Sequence, residues 1–149
     1  MKKIFFIFLF FAFTTTTFAQ FNYHGNAIRV YKGEFPMGFA AESFVLTNVR
    51  DKTILIDIPK FPDYFVEKEN GSGHELKTHH LRCDLDIIQI LENYSSEQHE
   101  AFLCKAGTAP CVIFFSPNSY NAREITFYAV ESDNRLQPWF IILDINKIE

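Results

Sequence analysis

Hydrophobic residues along this chain recur mainly at every second position, in short segments separated by turn-forming residues. This alternation is typical of β-strands with one apolar face, and the segments are rich in Ile, Val, Phe and Tyr, which favour strands. The pattern predicts eight strands, over residues 27–32, 42–49, 53–58, 63–68, 81–90, 111–115, 124–131 and 139–145. Strands do not alternate with long helical segments, so we expect an antiparallel sheet.

The turn residues predict how neighbouring strands are joined. Arg50-Asp51-Lys52 stands between two apolar segments and suits a hairpin whose tip lies in water. Asn70-Gly71 tolerates positive φ and predicts a second reversal. Pro59 and Pro62 cannot donate to a hydrogen-bond ladder, so we expect no central pairing there.

One short helix is predicted near residues 96–105. A serine at the start can accept a hydrogen bond from a free backbone N–H, and Glu97 favours the positive end of the helix dipole. Lys105 followed by Gly107 is typical of a helix end.

These elements together predict an all-β fold, an antiparallel two-layer β-sandwich that is immunoglobulin-like in general plan. The alternation Ile125-Phe127-Ala129, the polar turn at residues 132–135 and the apolar segment 139–143 resemble the final hairpin of many exported immunoglobulin-like domains. This resemblance covers the last quarter of the chain and implies no functional residue. A small α+β fold and a barrel are the alternatives.

The first 19 residues have the pattern of a cleavable secretory signal peptide. Lys2 and Lys3 precede ten apolar residues, and Ala19 ends the segment with a small residue. A membrane anchor is the competing interpretation, but a spanning helix needs about 20 apolar residues. Gln20 stands where a lipid-anchored protein would have a cysteine. The sequence therefore predicts a secreted or periplasmic protein with one domain, residues 20–149, and no stable membrane insertion after cleavage.

Charge limits the classes of partner. The chain has a net charge of −4, and removal of residues 1–19 takes away two lysines and lowers it to −6. No run of basic residues follows Lys3, so binding to nucleic acid or to anionic lipid is not expected.

The three cysteines first raise the question of pairing, because an exported protein meets an oxidising environment. Cys104 and Cys111 are close in the sequence, and a disulfide between them is the preferred prediction. Bridges from Cys83 to either of the others, and three reduced thiols, are the alternatives.

The histidines and cysteines also raise the possibility of a small secreted hydrolase or a metal-dependent enzyme. His79 and Cys83 form one closely spaced pair near His74 and His80, but structural zinc sites usually show two such pairs. No recognised catalytic motif occurs in the sequence. We therefore expect no metal, no cofactor and no catalytic residues, and keep an enzyme as the alternative function.

Aromatic residues give the best indication of binding. The first half of the chain is dense in rings, and the segment Phe35-Pro36-Met37-Gly38-Phe39 is apolar where a loop would be polar. Phe35, Met37 and Phe39 are therefore the candidate binding residues, with core packing as the competing interpretation. The sequence predicts a non-enzymatic binding or structural module of the cell envelope that contacts another protein, for example as an inhibitor or immunity-type protein.

Overall fold

The computed structural model describes residues 21–32, 35–96, 99–117 and 122–148. The predicted signal peptide at residues 1–19 and its cleavage site lie outside these ranges. The nine strands are β1 (Tyr23–Lys32), β2 (Phe35–Asn48), β3 (Thr53–Glu67), β4 (His74–Ile90), β5 (Glu100–Ala106), β6 (Ala109–Ser116), β7 (Glu124–Val130), β8 (Leu136–Leu143) and β9 (Asn146–Lys147). One 3-10 turn, Glu92–Tyr94, lies between β4 and β5.

The strands form a closed barrel. Each strand from β1 to β8 pairs antiparallel with the next, and β8 pairs with β1, where Ile142 lies opposite Ile28. The short strand β9 stands outside this ring and pairs with the start of β1. The predicted two-layer, immunoglobulin-like sandwich is therefore wrong. Alternation along a strand is the same in a sandwich and in a barrel, and only the pairing of β8 with β1 closes a single sheet.

Side chains fill the barrel interior, as expected for eight strands. Phe102, Phe115 and Phe140 are fully buried there, together with Tyr23 from β1 and with aliphatic residues from every ring strand other than β5. At one end of the interior, Trp139 packs against Phe61, with ring centroids 5.8 Å apart. The interior is therefore a packed hydrophobic core.

A single glycine allows close packing where β1 meets β8. A Cβ atom on Gly25 would stand 2.5 Å from Cγ2 of Ile142, far inside van der Waals contact. The β1–β2 register also shifts between Gly25 and Ala27, so the strand bends at this point.

The predicted helix near residues 96–105 is wrong. Residues 97–98 are outside the described ranges, and β5 begins at Glu100. Phe102 and Cys104 both point into the core and are fully buried, which is the two-residue period of a strand. Ser95 supports a loop, because its hydroxyl donates to the Leu91 carbonyl and accepts from the Ala101 N–H. Side-chain hydrogen bonds of serine to the backbone, which often cap helices, here stabilise the connection between β4 and β5.

The predicted disulfide is also wrong. Cys83, Cys104 and Cys111 are all free thiols. Cys104 and Cys111 lie directly opposite each other on β5 and β6, and each takes the place of an apolar side chain in the core. The two cysteines are near each other in the sequence because a tight hairpin separates them, and the backbone hydrogen bonds of that hairpin already join the two strands.

Several strand and turn predictions are confirmed. Residues 81–90 lie within β4, residues 50–52 form the β2–β3 turn, and residues 68–73 form the β3–β4 turn. The two predicted strands 53–58 and 63–68 are instead one long strand, β3. Its register against β4 shifts twice, around Pro59 and around Pro62, so the strand absorbs both prolines as bulges.

Candidate protein-binding surface

Two hairpins separate from each other at one end of the barrel. Strands β2 and β3 pair only between Phe44–Asn48 and Thr53–Asp57. Among the described residues, 35–43 of β2 pair only with β1, and 58–67 of β3 pair only with β4. We call these two extensions the β1–β2 arm and the β3–β4 arm, and the gap between them the seam.

The prolines account for the position of the seam. Pro59 and Pro62 have no N–H to offer a neighbouring strand, and the bulges around them turn the edge of β3. Continued pairing with β2 would therefore leave carbonyl groups of β2 without N–H donors opposite the prolines. The expectation that these prolines end central pairing holds only on the β2 side, where pairing stops at Asp57, whereas pairing with β4 continues through Pro62.

The arms carry an exposed group of large apolar side chains. Phe35 is 78% exposed, Tyr64 57%, Phe65 51% and Met37 41%. Phe39 is partly buried against the core, and its ring lies 6.3 Å from that of Phe65 across the seam. We call these five residues the arm surface; Tyr64 and Phe65 are consecutive on β3 and therefore point to opposite faces of the β3–β4 arm.

The structure therefore divides the candidate residues predicted from sequence. Phe35 and Met37 are available to a partner, whereas Phe39 has mainly a packing role. Sequence reasoning missed Phe65, whose ring lies beside Phe39, and Tyr64, which is exposed on the opposite face of β3. Their signal was the aromatic density beside Pro62, but only the tertiary structure brings the β3–β4 arm next to the β1–β2 arm.

An open cleft lies on the wall of the barrel where the seam begins. Its volume is about 330 Å³, and Ala40 and Glu42 of β2 face Pro59 and Lys60 of β3 across it. Gly38, further along β2, has no atom within 4 Å of the position that its Cβ would take. This face of β2 is therefore open at Gly38.

Histidine–carboxylate pairs tie β4 to β3 at the base of the β3–β4 arm. His79 Nδ1 lies 2.6 Å from Asp63 Oδ1, and His80 Nε2 lies 2.5 Å from Asp57 Oδ1. Asp57 also lies 3.8 Å from Arg82 Nη1. The two histidines point to opposite faces, as strand alternation predicts, and the His79 ring packs 5.5 Å from Phe61.

The three thiols lie in an environment that disfavours ionisation. Burial, with a smaller effect of nearby Cys111 and Asp86, raises the pKa of Cys104 to about 12. Burial and then Cys83 raise the pKa of Cys111 to about 11. Since the thiolate is the nucleophile, these two groups are almost entirely in the unreactive thiol form at neutral pH.

Among the residues that the structure describes, no group of three or more His, Cys, Asp or Glu side chains is arranged to hold a metal ion. Within the same residues, no helix has the length and apolar character needed to cross a membrane.

Comparison with known proteins finds no matching family model, no matching curated protein and no matching solved structure.

Proposed function

We propose that this protein is an exported, non-enzymatic binding module whose arm surface holds another protein. The observation that carries the proposal is the exposure of Phe35, Met37, Tyr64 and Phe65 on two hairpins that extend beyond the closed part of the barrel. Aromatic side chains and methionine are enriched at the centres of protein interfaces, where a few of them supply most of the binding energy.

The packed interior supports a surface role. Phe102, Phe115 and Phe140 occupy the centre of the barrel, where many larger barrels hold a small ligand. The arms, in contrast, present apolar groups to the outside with polar residues such as Asp63 and Lys77 around them. Large exposed apolar side chains with polar residues around them are typical of an interaction site.

The net charge favours a basic partner. A chain with a charge of −4, or −6 without residues 1–19, attracts positively charged proteins and speeds their capture. An inhibitor or immunity-type protein of the cell envelope is one form that such a module takes. Export rests on Lys2, Lys3 and the apolar residues after them.

Site-specific photocrosslinking tests the binding surface. The full chain carries a photoreactive amino acid at Phe35, or at Val49 as a control, and is expressed in the native host. Val49 is 41% exposed but lies in the turn region at the opposite end of β2. We expect one discrete crosslinked protein from position 35 and none from position 49.

Affinity measurement with that purified partner completes the test. Phe35→Ser combined with Tyr64→Ser is expected to weaken binding at least about tenfold without unfolding the barrel, because both side chains are largely exposed. The same crosslinked protein from both positions, or unchanged affinity of the double variant, contradicts the proposal.

Mass spectrometry of the exported protein is expected to find Gln20 as its first residue, and a chain that keeps residues 1–19 in the cytoplasm contradicts export.

A further inference from the structure

The outer part of the β3–β4 arm is a ribbon of only two strands. Residues 64–67 of β3 pair with residues 74–77 of β4, and among the described strands neither segment has another partner. A two-stranded ribbon has little stability of its own in water. We propose that this ribbon, residues 64–77, is a lid that swings about the bulge at Asp63 and covers or uncovers Phe39 of β2. The proposal concerns access to the arm surface and therefore rests on the proposed function.

The hinge lies where the ladder between β3 and β4 is interrupted. The register shifts between Pro62 and Tyr64, so Asp63 is the extra residue of a bulge. A bulge bends its strand, and Pro62 offers no N–H to the ladder. Rotation at this point therefore disturbs fewer backbone hydrogen bonds than rotation within the ribbon.

The base of the arm, by contrast, is fixed to the barrel. Phe61 is buried, and its ring centroid lies 5.8 Å from that of Trp139 and 5.3 Å from that of Phe140. Just before the ribbon begins, Asp63 Oδ1 lies 2.6 Å from His79 Nδ1 on β4. These contacts hold the arm in place up to the bulge, so the movement is confined to the ribbon beyond it.

A contact between two aromatic rings holds the lid in the closed position. Phe65 belongs to the ribbon, and its ring centroid is 6.3 Å from that of Phe39 across the seam. The Phe65 side chain nevertheless remains half-exposed. Aromatic pairs shift an equilibrium by about two- to tenfold. A contact of this size favours the closed position without preventing the lid from opening.

Opening of the lid changes which side chains a partner can reach. Phe35, Met37 and Phe39 are spaced two residues apart in a regular part of β2 and therefore share one face. In the closed position Phe35 and Met37 are exposed, whereas Phe39 is partly buried. Once Phe65 moves away, all three side chains form one apolar row. A partner that contacts the whole row binds the open position better and so shifts the lid towards it.

Distances between two spin labels test the lid. One label is attached at Glu69→Cys in the turn at the tip of the ribbon, and the other at Ala109→Cys in the β5–β6 hairpin; both sites are exposed. Cys83→Ala removes the partly accessible native thiol, whereas Cys104 and Cys111 are buried. We expect two populations of distance between the labels, with the open population the smaller.

Two neighbouring substitutions separate the ring contact from a general effect on the ribbon. Phe65→Ser is expected to raise the ratio of open to closed about two- to tenfold, because it removes the contact with Phe39. Tyr64→Ser is the matched control and is expected to leave the ratio unchanged, since Tyr64 is similarly exposed but points to the opposite face of the ribbon. A single narrow population of distances, or equal effects of the two substitutions, overturns the inference.

The partner found by crosslinking from position 35 then tests the role of the lid. Its addition to the labelled protein is expected to enlarge the open population, and an unchanged distance distribution in the saturated complex overturns the inference. The outcomes distinguish the two proposals. A crosslinked partner together with a rigid ribbon refutes the lid alone, whereas the absence of any crosslinked protein from position 35 refutes the proposed function.

Discussion

Alkaline pH is expected to destabilise this protein through its buried thiols. The pKa of Cys104 rises from 9.0 to about 12 and that of Cys111 from 9.0 to about 11, mainly because both thiols are buried in the core. In the unfolded chain both groups ionise near pH 9, whereas in the folded protein they keep their protons. Folding stability is thus fully present below pH 9 and is lost as pH rises through the folded pKa values.

The magnitude follows from proton linkage. Each thiol that ionises only in the unfolded state lowers the free energy of unfolding by about 1.4 kcal/mol per pH unit above pH 9. Between pH 9, where the unfolded thiols are half ionised, and pH 10.5 the two thiols together cost about 3 kcal/mol. This is a large fraction of the stability of about 5–15 kcal/mol that is usual for a single domain.

Urea unfolding at several pH values between 8 and 10.5, in the presence of a phosphine reductant, measures this effect. Cys104→Ala is expected to reduce the loss between pH 9 and pH 10.5 by about 2 kcal/mol relative to the natural chain. Comparing slopes with pH removes the constant cost of the small cavity in the variant. Equal slopes for the natural chain and for both Cys104→Ala and Cys111→Ala, or rapid alkylation of these thiols in the folded protein at pH 8, would refute the reasoning.

Four further substitutions test the packing. Phe35→Ala is expected to change the free energy of unfolding by less than about 0.5 kcal/mol, because the ring is exposed. Phe39→Ala is expected to lower it by about 2 kcal/mol, because the ring packs on the core. Urea unfolding of the two variants measures this difference between an exposed and a packed ring. Gly25→Ala is expected to lower stability by about 1–3 kcal/mol through its clash with Ile142, and an unchanged melting temperature would contradict this. Phe102→Ala is expected to cost about 3–5 kcal/mol because the ring is fully buried, and a loss below about 1 kcal/mol would show that the barrel interior is not close-packed.

Local features of this fold could be predicted because they depend on neighbouring residues alone. Ile54, Ile56 and Ile58 stand at every second position and are all buried. The same alternation is expected in any sheet that has one buried face, whatever its topology. The turn at Asn70 likewise depends on local backbone preferences, and its side chain accepts a hydrogen bond from the Ser72 N–H. Prediction failed at residues 96–105, where serine, acidic and lysine residues match a helix but the core takes Phe102 and Cys104 at strand spacing.

Part of the candidate site could be predicted from the sequence. An apolar segment at Phe35–Phe39 stood out because its surroundings suggest a turn, and Phe35 and Met37 are indeed exposed. Nothing in the order of residues joins it to Tyr64 and Phe65, which belong to the next hairpin. Their meeting depends on the closure of the barrel and on the point where β2 and β3 part.

Alternation, turn residues and charge are properties of short segments, so the sequence alone establishes a β-strand protein with tight turns and a net negative charge, and it predicts an export signal. The closure of the strands into one barrel, the free thiols and the seam beside Pro59 and Pro62 follow only from the tertiary structure. These features depend on which distant strands pair and on what each buried side chain meets, and such pairing is set by the packing of the whole chain.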